Sequence, residues 1–303
     1  MANSLVGKQD YLFLTNDANR LIDQHTGLHP FETEIRAIYE VHLMRVGAVR
    51  MANAGAYVHV IVPNKETVAR DLLPDGIVYQ QHGLTPVRKY LAAAKLAEHM
   101  TFFRPEALSD FLAQRYYYRY DTHWTSRGAI VYMLAMFRAF GMGRCSAALA
   151  ALELQSATDL APGDLGSKIG RTPEGAELLT PAHPRAACRF TNGPVDVGCV
   201  RHYVCEDAPV PVRVLVLHDS TALWLMSILP ELFPECMMIH TPDVDLDFVA
   251  RYKPDIMLFL QIERFFVRPP SNQANYAEFI AGEQDRKGAT ANAVAYLRAG
   301  GYL

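Results

Sequence analysis

The chain contains no run of the roughly 18 apolar residues that a membrane-crossing helix requires. Its first ten residues also lack the apolar centre of a signal peptide, and none follows. The chain as given is therefore expected to be cytoplasmic, or periplasmic if a leader was removed. It has no basic run, and 29 Lys and Arg stand against 32 Asp and Glu for a net charge of −3. A protein that neutralises phosphates needs a basic face, so nucleic-acid binding is excluded. Cysteine is sparse and odd in number: Cys145, Cys188, Cys199, Cys205 and Cys236. No paired framework suggests disulfides, which suits a reducing compartment. Cys199, His202 and Cys205 have a spacing that raises the question of a metal cluster, but no CxxC pair accompanies them. The expectation is ordinary thiols and no metal. Internal repeats and low-complexity tracts are absent as well.

What remains is an ordinary globular composition, 303 residues of which half are hydrophobic and a fifth charged. That length suits one large α/β domain or two modest ones. The apolar pattern predicts a strand over Tyr11–Leu14, with Asn16 and Asp17 as a turn or helix cap. Near-helical spacing from Pro30 to about Ala54 predicts a helix that Gly55 ends. Next comes Tyr57–Val62, a continuous β-branched run typical of a buried parallel strand. Helices are predicted over 84–100, with Pro86 in the first turn, and over Glu106–Gln114. A short strand is expected between them at Met100–Phe103. Ser126–Phe140 reads as a core helix with Ile130, Val131, Leu134, Phe137 and Phe140 on one face. Residues 155–211 are rich in Gly, Pro, Thr and Ala, too thin in apolar residues for a core of their own. They read as an irregular insertion decorating the sheet within a single domain over 1–303, and walling the site. Within it, Gly163-Asp164-Leu165-Gly166 suits an amide-rich turn. Regular order resumes with strands at Val212–Leu217, Cys236–His240 and Asp255–Gln261, and helices after Ser220 and over Val244–Tyr252. Alternating helices and buried strands predict an α/β fold around a mainly parallel sheet.

Two stretches carry the chemistry. Tyr120-Asp121-Thr122-His123-Trp124-Thr125 sets an acid and an imidazole two residues apart before the Ser126–Phe140 helix, which Thr125 or Ser126 can cap. The Val212–Leu217 strand runs into His218-Asp219-Ser220, where a hydroxyl and helix-leading amides stand at the sheet edge. A serine becomes nucleophilic only when an imidazole takes its proton and an acid orients that imidazole. Ser220, His123 and Asp121 are the candidate catalytic group, with the next N–H groups as oxyanion donors. The alternatives are that Ser220 is only a helix cap and His123 a packed histidine. Lys65 follows a strand end, where α/β folds place ligands, and is either a substrate contact or a solvated turn lysine. Arg264 stands at another strand end, as an oxyanion or substrate contact or as the partner of Glu263. Tyr120 lies in an aromatic cluster with Tyr116, Tyr117 and Tyr118, suited to a sugar face or to packing. His218 and Trp124 complete the candidates.

The Asp121-Thr122-His123-Trp124-Thr125 stretch with Gly128-Ala129 resembles the DxHW signature of the SGNH-hydrolase-like alginate O-acetyltransferases. Further segments match in order. Gly7–Gly27 is similar to that family's opening segment and Val62–Thr67 to its PxK loop. Val214–Ser220 is similar to its strand-plus-GDS element, and Ile262-Glu263-Arg264 to its Glu-Arg pair. Tyr11 replaces the family's Trp, His218 replaces the Gly of GDS, and the export signal is missing. The resemblance implies a flavodoxin-like three-layer sandwich with permuted triad order, the Asp-x-His pair first and Ser last. It implies that Ser220 carries an acetyl group to a carbohydrate or glycoconjugate hydroxyl, with His123 as base then acid and Asp121 orienting it. An esterase of the same fold and a non-catalytic carbohydrate-binding relative are the other readings. No cofactor is expected. The partners are an acetyl donor and a carbohydrate acceptor, with a membrane-bound donor partner if the chain is exported. A cytoplasmic enzyme would draw on a donor such as acetyl-CoA, although no P-loop-like segment is present.

Overall fold

The computed structural model describes residues 4–303 except 16, 78–84, 162, 173 and 194–195. The chain opens with a small hairpin, β1 (Ser4–Val6) and β2 (Leu12–Leu14), then α1 (Leu21–Thr26) and the long α2 (Glu34–Asn53). It continues through β3 (Ala56–Val62), α3 (Lys65–Val68), α4 (Pro86–Ala93), β4 (Thr101–Phe102) and α5 (Phe111–Gln114). A loop over 115–125 leads to α6 (Ser126–Ala139) and α7 (Gly143–Ala151). Two hairpins follow, β5 (Leu154–Ala161) with β6 (Glu174–Pro181), and β7 (Ala187–Thr191) with β8 (Val200–Val204). The last part holds β9 (Arg213–His218), β10 (Glu235–His240), α8 (Leu246–Tyr252), β11 (Ile256–Ile262), α9 (Tyr276–Lys287) and α10 (Ala293–Ala299).

Seven strands form one sheet in the order β4-β3-β11-β9-β10-β8-β7. The β4-β3-β11-β9-β10 part is parallel, and β8 and β7 add an antiparallel edge. The central strands are continuous apolar runs because both sheet faces are covered. Val58, Val60, Val214, Val216, Met238 and Leu258 pack on one face with α6 residues such as Met133, Met136 and Phe137. Tyr57, Leu215, Leu217, Met237, Ile239 and Met257 pack on the other with α8, α9 and α10. The result is three layers, with helices on both sides of a mostly parallel sheet.

Several elements differ from the expectations. The residue that ends α2 in the left-handed region is Ala54 (φ 51°, ψ 23°), not Gly55. Gly55 is required for closeness: a Cβ there would meet the carbonyls of Pro254 and Asp255 at 2.6 Å. The helix expected over 84–100 stops at Ala93, and its start at 84 lies outside the described residues, as does Asn16. The helix expected over Glu106–Gln114 is split into a 3-10 turn, Pro105–Leu108, and α5. The inward face of α6 runs through Ala129, Ile130, Tyr132, Met133, Met136 and Phe137, so Val131, Leu134 and Phe140 are only partly buried. Ser220 begins a 3-10 helix, Ser220–Leu225, where a regular helix was expected. No membrane-spanning helix exists among the described residues.

Candidate active site

β9 brings Ser220 to the carboxyl edge of the sheet, and Asp219 fixes the turn that presents it. Asp219 Oδ1 accepts hydrogen bonds from the Thr221 N–H (2.8 Å) and the Thr221 hydroxyl (2.6 Å). Its Oδ2 accepts from the Ile262 N–H (2.7 Å), and its own N–H donates to the Leu260 carbonyl (3.2 Å). The tip of β9 is thus tied to the neighbouring β11. The amides after Ser220 were expected to be free. Thr221 N–H is instead taken by Asp219 Oδ1, and Ala222 N–H points to the Asp219 carbonyl at 3.3 Å. Among the described residues, the leading amide left without a partner is that of Ser220 itself.

The Asp-x-His loop is held from three sides. Lys65 Nζ donates to the carbonyls of Tyr118 (3.1 Å), Arg119 (3.1 Å) and Asp121 (2.6 Å). Thr125 caps α6 by accepting from the Gly128 N–H at 3.2 Å. Trp124 Nε1 donates to the Thr221 carbonyl at 2.8 Å. That last bond links the residue after His123 to the residue after Ser220, so the two loops are clamped one position beyond the reacting groups. The 163–166 turn completes the support. The Asp164 N–H donates to Asp121 Oδ2 (2.9 Å), and the Asp164 carboxylate accepts from the Thr122 N–H (2.7 Å) and hydroxyl (2.6 Å).

Within this frame Asp121, His123 and Ser220 form one hydrogen-bonded chain. His123 Nδ1 lies 2.6 Å from Asp121 Oδ1, and Nε2 lies 2.8 Å from Ser220 Oγ. The His123 N–H also donates to Asp121 Oδ1 at 2.8 Å. Burial alone would raise the Asp121 pKa, but the bonds and attraction to His123 and the His123 and Asp164 amides outweigh it. The carboxyl is held well below the usual carboxylate range and stays ionised. An ionised Asp121 accepts the proton on Nδ1, which leaves the Nε2 lone pair facing the serine hydroxyl. The Trp224 ring lies over the imidazole with centroids 4.9 Å apart, and its Nε1 donates to the Tyr118 hydroxyl at 2.7 Å.

The remaining candidates do other things. Lys65, expected as a substrate contact or a solvated turn lysine, is 1% exposed and serves the loop carbonyls. Burial brings its pKa down to about 8. Trp124 is fully buried and acts as the clamp just described. Tyr120 is half-buried and donates through its hydroxyl to Asp10 Oδ2 at 2.6 Å, which ties the loop to the amino-terminal hairpin. Arg264 and Glu263 form no ion pair with each other among the described residues. Glu263 accepts from the Asn64 N–H (2.9 Å) and the Thr67 hydroxyl, and burial pushes its pKa up to about 7. The Arg264 guanidinium lies over the Phe265 ring at 4.9 Å, and its backbone bonds Asn64 and Gln24. His218 is buried, donates from Nδ1 to the Asp219 carbonyl (2.7 Å) and makes no bond to Ser220; burial lowers its pKa to about 3.

Cys199, His202 and Cys205 do not converge: His202 bonds the Tyr296 hydroxyl at 2.6 Å, and Cys205 Sγ faces the Glu231 carbonyl. Among the described residues, Asp121, His123 and Asp164 are the one group close enough to share a cation. Their donor atoms are already committed to each other and to Thr122, so the set suits hydrogen bonding better than a metal. Reasoning from sequence missed Asp164 and Trp224 as site residues. The amide-rich turn was the signal for the first; nothing local marks the second.

The family model described as the SGNH hydrolase-like domain of the acetyltransferase AlgX matches residues 5–195, more than half of the chain. Among solved structures, the fold is similar to PatB1 of Bacillus cereus, with a TM-score of 0.58 and 13% identity over 87% of this chain and 97% of that one. It is also similar to the O-acetyltransferase domain of Pseudomonas putida AlgJ, with a TM-score of 0.57 and 16% identity over 94% and 99%. A third likeness is a DHHW family protein from Eubacterium siraeum, with a TM-score of 0.55 and 13% identity over 92% and 98%. At these identities the structural likenesses speak for the fold alone. No curated protein matches the sequence.

Proposed function

Because the chain belongs to the family of the SGNH hydrolase-like acetyltransferase AlgX, we propose that it moves an acetyl group through Ser220 to a carbohydrate hydroxyl. The observation that carries this reading is the unbroken chain of hydrogen bonds from Asp121 through His123 to Ser220. In the first half-reaction Ser220 Oγ attacks the acetyl carbonyl carbon of the donor while its proton passes to His123 Nε2. The donor's leaving group departs with that proton, and the acetyl remains as an ester on Ser220. In the second half-reaction an acceptor hydroxyl gives its proton to His123 and attacks the ester carbon. The Ser220 oxygen then leaves and takes the proton back. Asp121 keeps the imidazole in one tautomer and stabilises the imidazolium in both halves. The unpartnered Ser220 amide is the candidate oxyanion donor.

The family implies an acetyl donor and a carbohydrate acceptor as partners, and the likeness to the O-acetyltransferase domain of AlgJ points the same way. A membrane-bound donor protein would serve an exported form of the chain. The test is turnover of an activated acetyl ester, with and without added glycans, by wild type, Ser220→Ala and His123→Ala. Wild type should accumulate an acetyl ester on Ser220 by mass spectrometry and give glycan-dependent product. Each variant should lose about 10⁴-fold or more in turnover. Turnover that survives both substitutions would sink the triad, and acetate release indifferent to glycans would mark an esterase.

A further inference from the structure

A cavity of about 370 Å³ opens where His218 and His240 end neighbouring strands. The chain leaves β9 toward the face of the sheet that carries Leu225, Ile228 and Leu229, and leaves β10 toward the face that carries Phe248 and Val249. Strand order reverses here, since β10 and β11 lie on opposite sides of β9. A crevice between loops that part to opposite faces is where open α/β sheets bind ligands. His218 and His240 are register partners across the two parallel strands, with ring centroids 5.1 Å apart.

The recessed groups left free to bind a ligand are two imidazoles, His218 and His240. His218 donates from Nδ1 to a carbonyl, which leaves its Nε2 lone pair as an acceptor. His240 is 7% exposed, and its Nδ1 is buried without a partner. Two carboxylates line the cavity too: both oxygens of Asp219 are taken by protein donors, and half-buried Asp243 accepts from the Ser271 N–H through Oδ1 at 2.7 Å. The cation there, Arg268, is exposed at the mouth and lies over the Phe265 ring. Phe259, Pro269 and Pro270 supply apolar walls. An anion pressed onto this floor would face the Asp219 and Asp243 carboxylates, whereas hydroxyls both donate and accept, as paired imidazoles require.

We propose that the cavity between the tips of β9 and β10 binds a neutral, hydroxylated ring the size of one monosaccharide. The choice of a sugar as that ring rests on the acceptor class proposed above, but its capture does not depend on Ser220 chemistry. The test is ligand-observed NMR titration of the full chain with methyl β-glucopyranoside and, separately, methyl β-glucuronide. The neutral glycoside should bind saturably and about fivefold or more tighter than the uronide, because the uronide brings a carboxylate against Asp219 and Asp243. His240→Phe, which removes the polar nitrogen and fills the space, should weaken binding about tenfold or more. Pro269→Trp, an exposed position at the rim, should do the same by blocking the mouth, and so serves if His240→Phe does not fold. Absence of saturable binding, tighter binding of the uronide, or unchanged affinity in a folded variant overturns the site. If binding fails while acetyl still accumulates on Ser220, this inference alone fails. If binding holds while Ser220 stays unacetylated, the acetyltransferase reading alone fails.

Discussion

Lys65 brings an ammonium group into the protein interior to satisfy three carbonyls of the loop that carries Asp121. Its methylene stem and charge do separate work, which a substitution by methionine isolates. Lys65→Met keeps the volume and removes the donors, leaving buried carbonyls without partners at a cost of about 3 kcal/mol. Urea unfolding should show that loss, and turnover should fall with it because the Asp121 carbonyl is no longer held. Unchanged stability would mean that water replaces the ammonium, and the loop would then owe its position to Trp124 and Asp164. The sequence placed Lys65 near the chemistry because it follows a strand end, but its direction depended on which loop lay opposite. That loop is more than fifty residues away in the chain, and no local pattern encodes it. Trp224 is a similar case, a helix residue by position whose ring meets His123 only through the fold.

The hairpin of β5 and β6 reaches the site through its connecting loop, and one glycine sets how closely it comes. Gly163 has φ 75°, and a Cβ there would overlap the Tyr120 carbonyl and crowd the Asp121 N–H. Gly163→Ala should therefore push the loop outward and break the Asp164 N–H bond to Asp121. The expected result is a fall in turnover of about tenfold or more with the global melt little changed, read by ester turnover beside circular dichroism. A variant with full turnover would remove the loop from the catalytic account. The parallel strands were readable because burial on both faces leaves an uninterrupted apolar run, as in Tyr57–Val62 and Val212–Leu217. The cap of α6 was readable because Thr125 precedes a clear helical period. The 3-10 helix at Ser220 was not, since apolar spacing over six residues fits either helix type. Likewise α9 and α10 went unread in the sequence, although Asn275 and Asn292 cap them with their side chains.

The whole molecule folds around several imidazoles that it must keep neutral. Burial lowers His25, His59 and His218 to about 3, lowers His42 well below its usual value, and lowers His240 as well. In the unfolded chain these groups take up protons near pH 6.5. Below that pH the unfolded state binds more protons than the native state, so stability falls as pH falls. Two buried carboxyls act in the opposite sense. Burial raises Glu263 to about 7 and raises Glu66, so the native state takes up their protons first. That contribution adds stability as pH falls from 7 toward 4.5. Five lowered imidazoles against two raised carboxyls leave the unfolded state binding more protons, so stability falls on balance as pH drops below about 6.5. Denaturant unfolding at pH 7.5 and 5.0 should show this as a sharply lower midpoint at pH 5.0. Glu263→Gln sharpens the test, because it removes the penalty of an ionised buried carboxylate above pH 7 and also removes the offset below it. The variant should be more stable than wild type at pH 7.5 by about 1–3 kcal/mol, and should lose stability more steeply on acidification. Equal midpoints at the two pH values in wild type would show that the buried histidines are not what limits stability in acid. A Glu263→Gln variant weaker than wild type at pH 7.5 would instead show that the bonds from Asn64 and Thr67 outweigh the cost of burying the charge.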